Sequence, residues 1–131
     1  MRTVLIIDDE IDFYLLIKDY LGQRDYQVFA AHSLGDGMKM LEERQYDVLL
    51  LDNNLPDGFG WKQAPAIEKR FPNMRITLIS AYESIFLVTT LQGVPFRIME
   101  KPVSLETLIS YFWINYLQYP HFRIQKIQQT Y

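Results

Sequence analysis

Four short segments carry side chains able to do chemistry: Asp8-Asp9, Asp52, Ser80 and Lys101. Carboxylates gathered at one point repel one another and cannot all stay ionised alone. A hard divalent cation removes that conflict, and Mg²⁺ takes oxygen ligands of this kind. The ammonium of Lys101 adds a point positive charge, and Ser80 adds a hydroxyl donor. Such a set complements a phosphoryl group, whose transfer needs mostly charge stabilisation and positioning. Each residue alone has an ordinary use. Acid pairs after strands are often solvated helix caps, Asp52 can open an Asx turn into Asn53-Asn54-Leu55-Pro56, and Lys-Pro before a helix is a common turn. The set carries weight only if the fold brings its members together.

The surrounding elements predict that it does. Short apolar runs alternate with longer helical patterns. Val4–Ile7 reads as a first strand, and Tyr14, Ile17 and Leu21 mark a helix that Gly22 can stop. A second strand covers Tyr26–Ala30. Ser33 caps a helix to about Arg44, with Leu34, Met38 and Leu41 on one face. Asp47–Asp52 is a third strand, continuously apolar inside and so covered on both faces. A loop, Asn53–Gly58, leads to a helix from about Gly60 to Arg70, in which Pro65 predicts a kink or a late start. Arg75–Ser80 and Phe96–Glu100 are the fourth and fifth strands. Helices are expected over Glu83–Gln92 and, after the cap residue Ser104, along Leu105, Leu108, Ile109, Phe112 and Tyr116. Strict alternation implies an α/β fold: a five-stranded parallel sheet, doubly wound and flavodoxin-like, in a three-layer sandwich. Ligands of such sheets bind at the carboxyl ends of the strands, where all four segments fall.

Composition excludes several other classes. The chain has 131 residues, 49% hydrophobic and 22% charged, which fits one folded domain and not a disordered chain. Its formal net charge of -3 argues against direct nucleic-acid binding, which needs clustered Lys and Arg. With no Cys there is no disulfide framework and no thiolate metal site. No apolar run reaches the length of a membrane span, and a cytoplasmic location is expected. His32 and His121 lack metal-ligand spacing and read as ordinary surface residues.

The landmarks Ile6-Ile7-Asp8-Asp9-Glu10, Leu50-Leu51-Asp52-Asn53-Asn54-Leu55-Pro56-Asp57-Gly58-Phe59-Gly60, Ile79-Ser80-Ala81 and Glu100-Lys101-Pro102 make the chain resemble a CheY-like response-regulator receiver domain, over about residues 3–118. The resemblance implies a two-component phosphorelay module and no enzyme beyond self-catalysed phosphoryl transfer and autodephosphorylation. It makes Asp52 the phosphoacceptor, a nucleophile toward a phosphohistidine on a sensor histidine kinase or phosphotransfer protein. Asp9 and Asp52 become Mg²⁺ ligands, joined by the backbone carbonyl of Asn54, with Asp8 acting through water. Lys101 pairs first with Asp52 and then with the phosphoryl oxygens. Ser80 donates its hydroxyl and moves on activation, Ala81 leaves room for the phosphoryl group, and Gly60 opens the third helix. The output is a change in contacts with a downstream protein. The expected receiver unit is 1–119 and the tail 120–131, with no separate effector domain. A regulator acting alone and a piece of a longer one both remain open.

The chain departs from the family pattern in three places. Ile98 stands where the family carries a switch aromatic, and Phe96, two residues earlier, can share its face. Either Phe96 takes the role or the coupling is absent. Tyr82, like Asn54, flanks the family's path for hydrolytic water. It shields the acyl phosphate or is a plain surface residue. Tyr111, Phe112, Trp113, Tyr116 and Tyr119 surround the last helix. They imply a homodimer through the fourth helix, fifth strand and fifth helix, or a tail folded back over the core. Two other functions are weighed: a pseudo-receiver that binds partners without phosphorylation, and a Mg²⁺-dependent phosphohydrolase. The second lacks an acid two residues beyond Asp52, where Asn54 stands. A flavin reading lacks a phosphate-cradling loop after the first strand.

Overall fold

The computed structural model describes residues 1–80 and 96–101, without the side chains of Ser80, Arg97 and Glu100. The elements are β1 (Arg2–Ile7), α1 (Ile11–Gly22), β2 (Tyr26–Ala31), α2 (Leu34–Glu43), β3 (Val48–Asp52), β4 (Asn54–Leu55), β5 (Gly58–Phe59), a 3-10 turn (Gly60–Gln63), α3 (Ala64–Arg70), β6 (Arg75–Ser80) and β7 (Arg97–Glu100). Five strands form one sheet in the order β2-β1-β3-β6-β7, and every pairing in it is parallel. Strands β1 to β3 and β6 fall within a residue or two of the expected bounds, and β7 starts one residue later than expected. The helices expected over 83–92 and from 104, the aromatic C-terminal helix with its dimer contact, Tyr82, Ala81, His121 and the tail all lie outside the described residues.

The sheet separates two apolar layers, and alternation along each strand decides which residues enter which. Leu5, Ile7, Leu49, Leu51, Leu78, Phe96 and Ile98 pack with Leu41 of α2 and with Trp61, Ala64 and Ile67. Val4, Ile6, Val48, Leu50, Ile79 and Met99 pack with Phe13, Ile17, Tyr20 and Leu21 of α1. All five residues of β3 are buried, as a strand covered on both faces requires. Phe96 and Ile98 do share a face, and both are buried there.

Two helix starts follow the sequence closely. Ser33 caps α2, its hydroxyl oxygen accepting from the Asp36 amide at 3.2 Å. Pro65 falls in the first turn of α3, where its missing N–H costs nothing, and the preceding four residues wind as a 3-10 turn. The late start is therefore the outcome, not a kink. The loop 53–58 is more ordered than the sequence suggests. Asn54-Leu55 and Gly58-Phe59 pair as a small antiparallel hairpin.

Candidate functional site

The site lies where the strand order reverses. β1 leads to β2 on one side and β3 leads to β6 on the other, so the connections leaving β1 and β3 diverge from the crevice between their carboxyl ends. Strand alternation fills it. Ile6, Leu50 and Met99 face α1. Two residues on, each of these rows delivers a polar side chain: Asp8, Asp52 and Lys101. Ligand oxygens of Asp8, Asp9 and Asp52 lie within 4.8 Å of one another. Asp8 is fully buried and Asp52 is 7% exposed, while Asp9 faces solvent.

Burial with little neutralising charge has an electrostatic consequence. The Asp52 carboxyl is pushed up from 3.8 to about 7, first by burial and then by the Asp8 charge, against the pull of Lys101 and the Asn53 amide. A hard cation among these oxygens would reverse that balance, and the donors, all carboxylates, are the type Mg²⁺ and Ca²⁺ accept. The residues therefore fit such an ion.

Lys101 is placed differently from the expectation. Its Nζ lies 2.7 Å from Asp8 Oδ2 and 2.9 Å from Glu10 Oε2, and these two acids, not Asp52, are its ion-pair partners. The Asp8 contact is an ion pair whose angles fall outside hydrogen-bond geometry. Asp52 acts on Lys101 through its charge alone. Burial opposes the ammonium, yet Asp8, Glu10 and Asp52 together raise its pKa. The physical reason is competition. Asp8 and Glu10 lie just before α1, and the Lys101 ammonium is drawn to that start, its Nζ over the Phe13 ring at 4.8 Å from the centroid. Ser80 ends β6 beside Asp52 in the pairing ladder, since Ile79 is the register partner of Asp52. The hydroxyl of Ser80 and the whole of Tyr82 lie outside the described residues.

The end of β3 is held by Trp61, which the sequence pattern did not single out, and by Gly60, which it did. The Trp61 indole N–H donates to the Leu51 carbonyl at 3.2 Å, and the Trp61 amide donates to Asn53 Oδ1 at 3.2 Å. The Gly60 amide donates to the Asn53 carbonyl at 2.9 Å. A Cβ on Gly60 would overlap the Asp52 carbonyl oxygen, so the expected glycine is here a matter of backbone contact. Asp57 accepts from the Leu34 and Gly35 amides at 2.7 and 2.8 Å, tying the β4–β5 hairpin to the start of α2. Those bonds hold its carboxyl below the ordinary carboxylate range. His32, read as an ordinary surface residue, is exposed but bonded. Its Nδ1 lies 2.9 Å from the Asp8 carbonyl oxygen. The Asp57 and His32 bonds reach partners 22 to 24 positions away and the Trp61 and Gly60 bonds close an irregular turn, so periodicity could find neither kind.

Comparison with known proteins points one way. Residues 4–112 match the family model described as the response regulator receiver domain. The response regulator protein PilR of Pseudomonas aeruginosa is 31% identical over 108 residues, which are 82% of this chain and 24% of that protein. The photosynthetic apparatus regulatory protein RegA of Rhodobacter capsulatus is 26% identical over 64% of this chain and 46% of its own length. The chain thus spans about a quarter to a half of the length of these relatives. A response regulator receiver protein from Sinorhizobium medicae superposes with a TM-score of 0.71 at 28% identity, covering 83% of this chain and 89% of that one. A response regulator protein from Burkholderia pseudomallei, solved with a phosphorylated aspartic acid, calcium ion and citrate, superposes at 0.75 with 22% identity, covering 88% of this chain and 68% of that one, a likeness of fold.

Proposed function

The chain belongs to the response regulator receiver domain family, and we propose that it accepts a phosphoryl group from a phosphohistidine onto Asp52. Receiver domains of two-component systems are signalling modules that meet histidine kinases and downstream effectors, and are generally not enzymes. The observation that carries the finer reading is the convergence of Asp8, Asp9 and Asp52 within 4.8 Å, beside Lys101, at the switch point of the sheet.

In the proposed step an Asp52 carboxylate oxygen attacks phosphorus. The P–O bond to Asp52 forms as the P–N bond to the donor imidazole breaks, and the imidazole leaves with a proton from its surroundings. Asp9 and Asp52 would hold Mg²⁺, with the Asn54 carbonyl as a further ligand and Asp8 acting through water. When bound, the cation supplies positive charge that keeps Asp52 ionised and offsets the charge of the phosphoryl oxygens. Lys101 turns from Asp8 and Glu10 toward the new phosphoryl oxygens, and Ser80 donates its hydroxyl to them. The acyl phosphate adds charge and acceptor oxygens where one carboxylate stood, and so redistributes protein contacts. Ile98, not an aromatic, sits buried at the switch position, so any aromatic coupling runs through Phe96. The receiver unit is taken as 1–119, with 120–131 as a tail. Dimerisation through the face formed by the fourth helix, β7 and the last helix, and a cytoplasmic location, belong to the same reading. No helix among the described residues is long and apolar enough to cross a membrane.

Intact mass after incubation with Mg²⁺ and a small acyl phosphate or phosphoramidate tests this. One added phosphoryl group is expected, absent in Asp52→Ala and after chelation. No addition, even when a fluoride analogue is used to trap a short-lived adduct, would make the chain a pseudo-receiver.

A further inference from the structure

Asp8 is fully buried, and each of its polar atoms is engaged. Its amide donates to the Ala31 carbonyl at 3.0 Å, the last rung between β1 and β2. Its Oδ1 accepts from the Glu10 amide at 2.8 Å, and its Oδ2 faces Lys101. The remaining group is its carbonyl, which joins it to Asp9. One residue past the end of β2, the chain supplies a side chain there: His32 Nδ1, at 2.9 Å. A carbonyl oxygen cannot donate, so the ring nitrogen carries the hydrogen. The imidazole is itself held, edge-on to the Tyr14 ring of α1 at 6.0 Å between centroids. Tyr14 in turn packs on the α1 layer of the core.

We propose that His32 is a positioning residue for the acid pair. Its N–H continues the β1–β2 ladder by one side-chain rung and fixes the Asp8–Asp9 peptide plane. The two carboxylates then leave the backbone in the orientation that lets them meet Asp52. Partners outside a metal's ligand shell that orient its ligands commonly govern affinity by a factor of ten or more. The inference rests on the reading of Asp8, Asp9 and Asp52 as a divalent-cation site.

The ring and its N–H can be separated by substitution. Asn places an amide N–H close to where Nδ1 sits but loses the ring. Phe keeps the ring against Tyr14 but loses the donor. Calorimetric titration of Mg²⁺ into wild type, His32→Asn, His32→Phe and Asp9→Asn is the experiment, with unfolding temperatures in chelator confirming that each variant folds. His32→Leu replaces the Phe variant if that one does not fold. We expect His32→Phe to weaken Mg²⁺ binding about tenfold and His32→Asn to stay within about twofold of wild type. Equal binding by wild type and His32→Phe overturns the positioning role and leaves the cation site standing. Equal loss in the Asn and Phe variants overturns it as well, because the ring and its donor would then be inseparable. Wild type that takes up no Mg²⁺, or binds it as well with Asp9→Asn, overturns the functional reading underneath.

Discussion

At the scale of the residue, Asp52 dominates. A buried carboxylate facing Asp8 is an unfavourable arrangement that the fold tolerates for its chemistry. Without a cation its pKa is raised to about 7 from 3.8, so between those values the folded chain holds a proton that the unfolded chain has released. Stability then falls as pH rises through that window: the contribution is complete below the unfolded value and gone above about 7. Asp52→Asn removes the titrating group and keeps an acceptor for the Asn53 amide. In chelator, the variant should match wild type near the unfolded pKa and exceed it at pH 8 by about 1–3 kcal/mol, since a tenfold change in a protonation equilibrium is worth about 1.4 kcal/mol. Urea unfolding at the two pH values checks this, and a constant difference would refute it. Residue identity made this centre legible. Asp8, Asp52 and Lys101 each stand two places beyond an apolar residue of the α1-facing row, so alternation alone puts them together. The Lys101 pairing was not legible. It depends on Glu10, 91 residues away, and on the ammonium lying over the Phe13 ring.

At the scale of the element, the end of β3 matters more than any helix. Leu51 and Asn53 are bonded to Trp61, and Asn53 to Gly60, so the turn into α3 acts as a clamp on the strand that carries Asp52. Two glycines show how different a close approach can be. A Cβ on Gly60 would overlap backbone, the Asp52 carbonyl oxygen, whereas a Cβ on Gly37 would overlap only the Ile7 side chain. Ile7 is fully buried and stiff at χ1, so it must shift within the core, and the roughly 1 kcal/mol of helix propensity gained by Gly37→Ala offsets part of that overpacking. The Asp52 carbonyl can move only if β3 moves. Gly60→Ala should therefore destabilise by about 3 kcal/mol or more and lower phosphorylation of the folded fraction, while Gly37→Ala should cost about 1 kcal/mol. Paired denaturation curves decide between them, and similar losses would show that the clamp is pliable. The sequence announced the Pro65 late start and the Ser33 cap because both are local. The Asp57 bonds to α2 were hidden because their partners stand 22 and 23 positions apart, and the β4–β5 hairpin because its strands of two residues each are too short to show alternation.

At the scale of the whole molecule, structure and chemistry are divided along the strands. Two apolar layers, one on each face of the sheet, carry the stability, and the cluster of Asp8, Asp9 and Asp52 sits in the crevice at the carboxyl ends of the strands. That crowding opposes folding, and the proposed divalent cation would remove it. A ligand bound only by the folded chain stabilises by mass action, about 2.7 kcal/mol at a hundred times Kd. The cation competes with protons for Asp52, so its effect must depend on pH. The unfolding temperature should rise by several degrees in saturating Mg²⁺ at pH 8, since each kcal/mol moves a chain of this size by a few degrees. The rise should shrink toward pH 5, where Asp52 in the folded chain is protonated, and vanish in Asp9→Asn at both values. A rise of equal size at pH 5 and 8 would mean that Mg²⁺ binds without engaging Asp52, and the proposed phosphoacceptor would then stand outside the cation's reach.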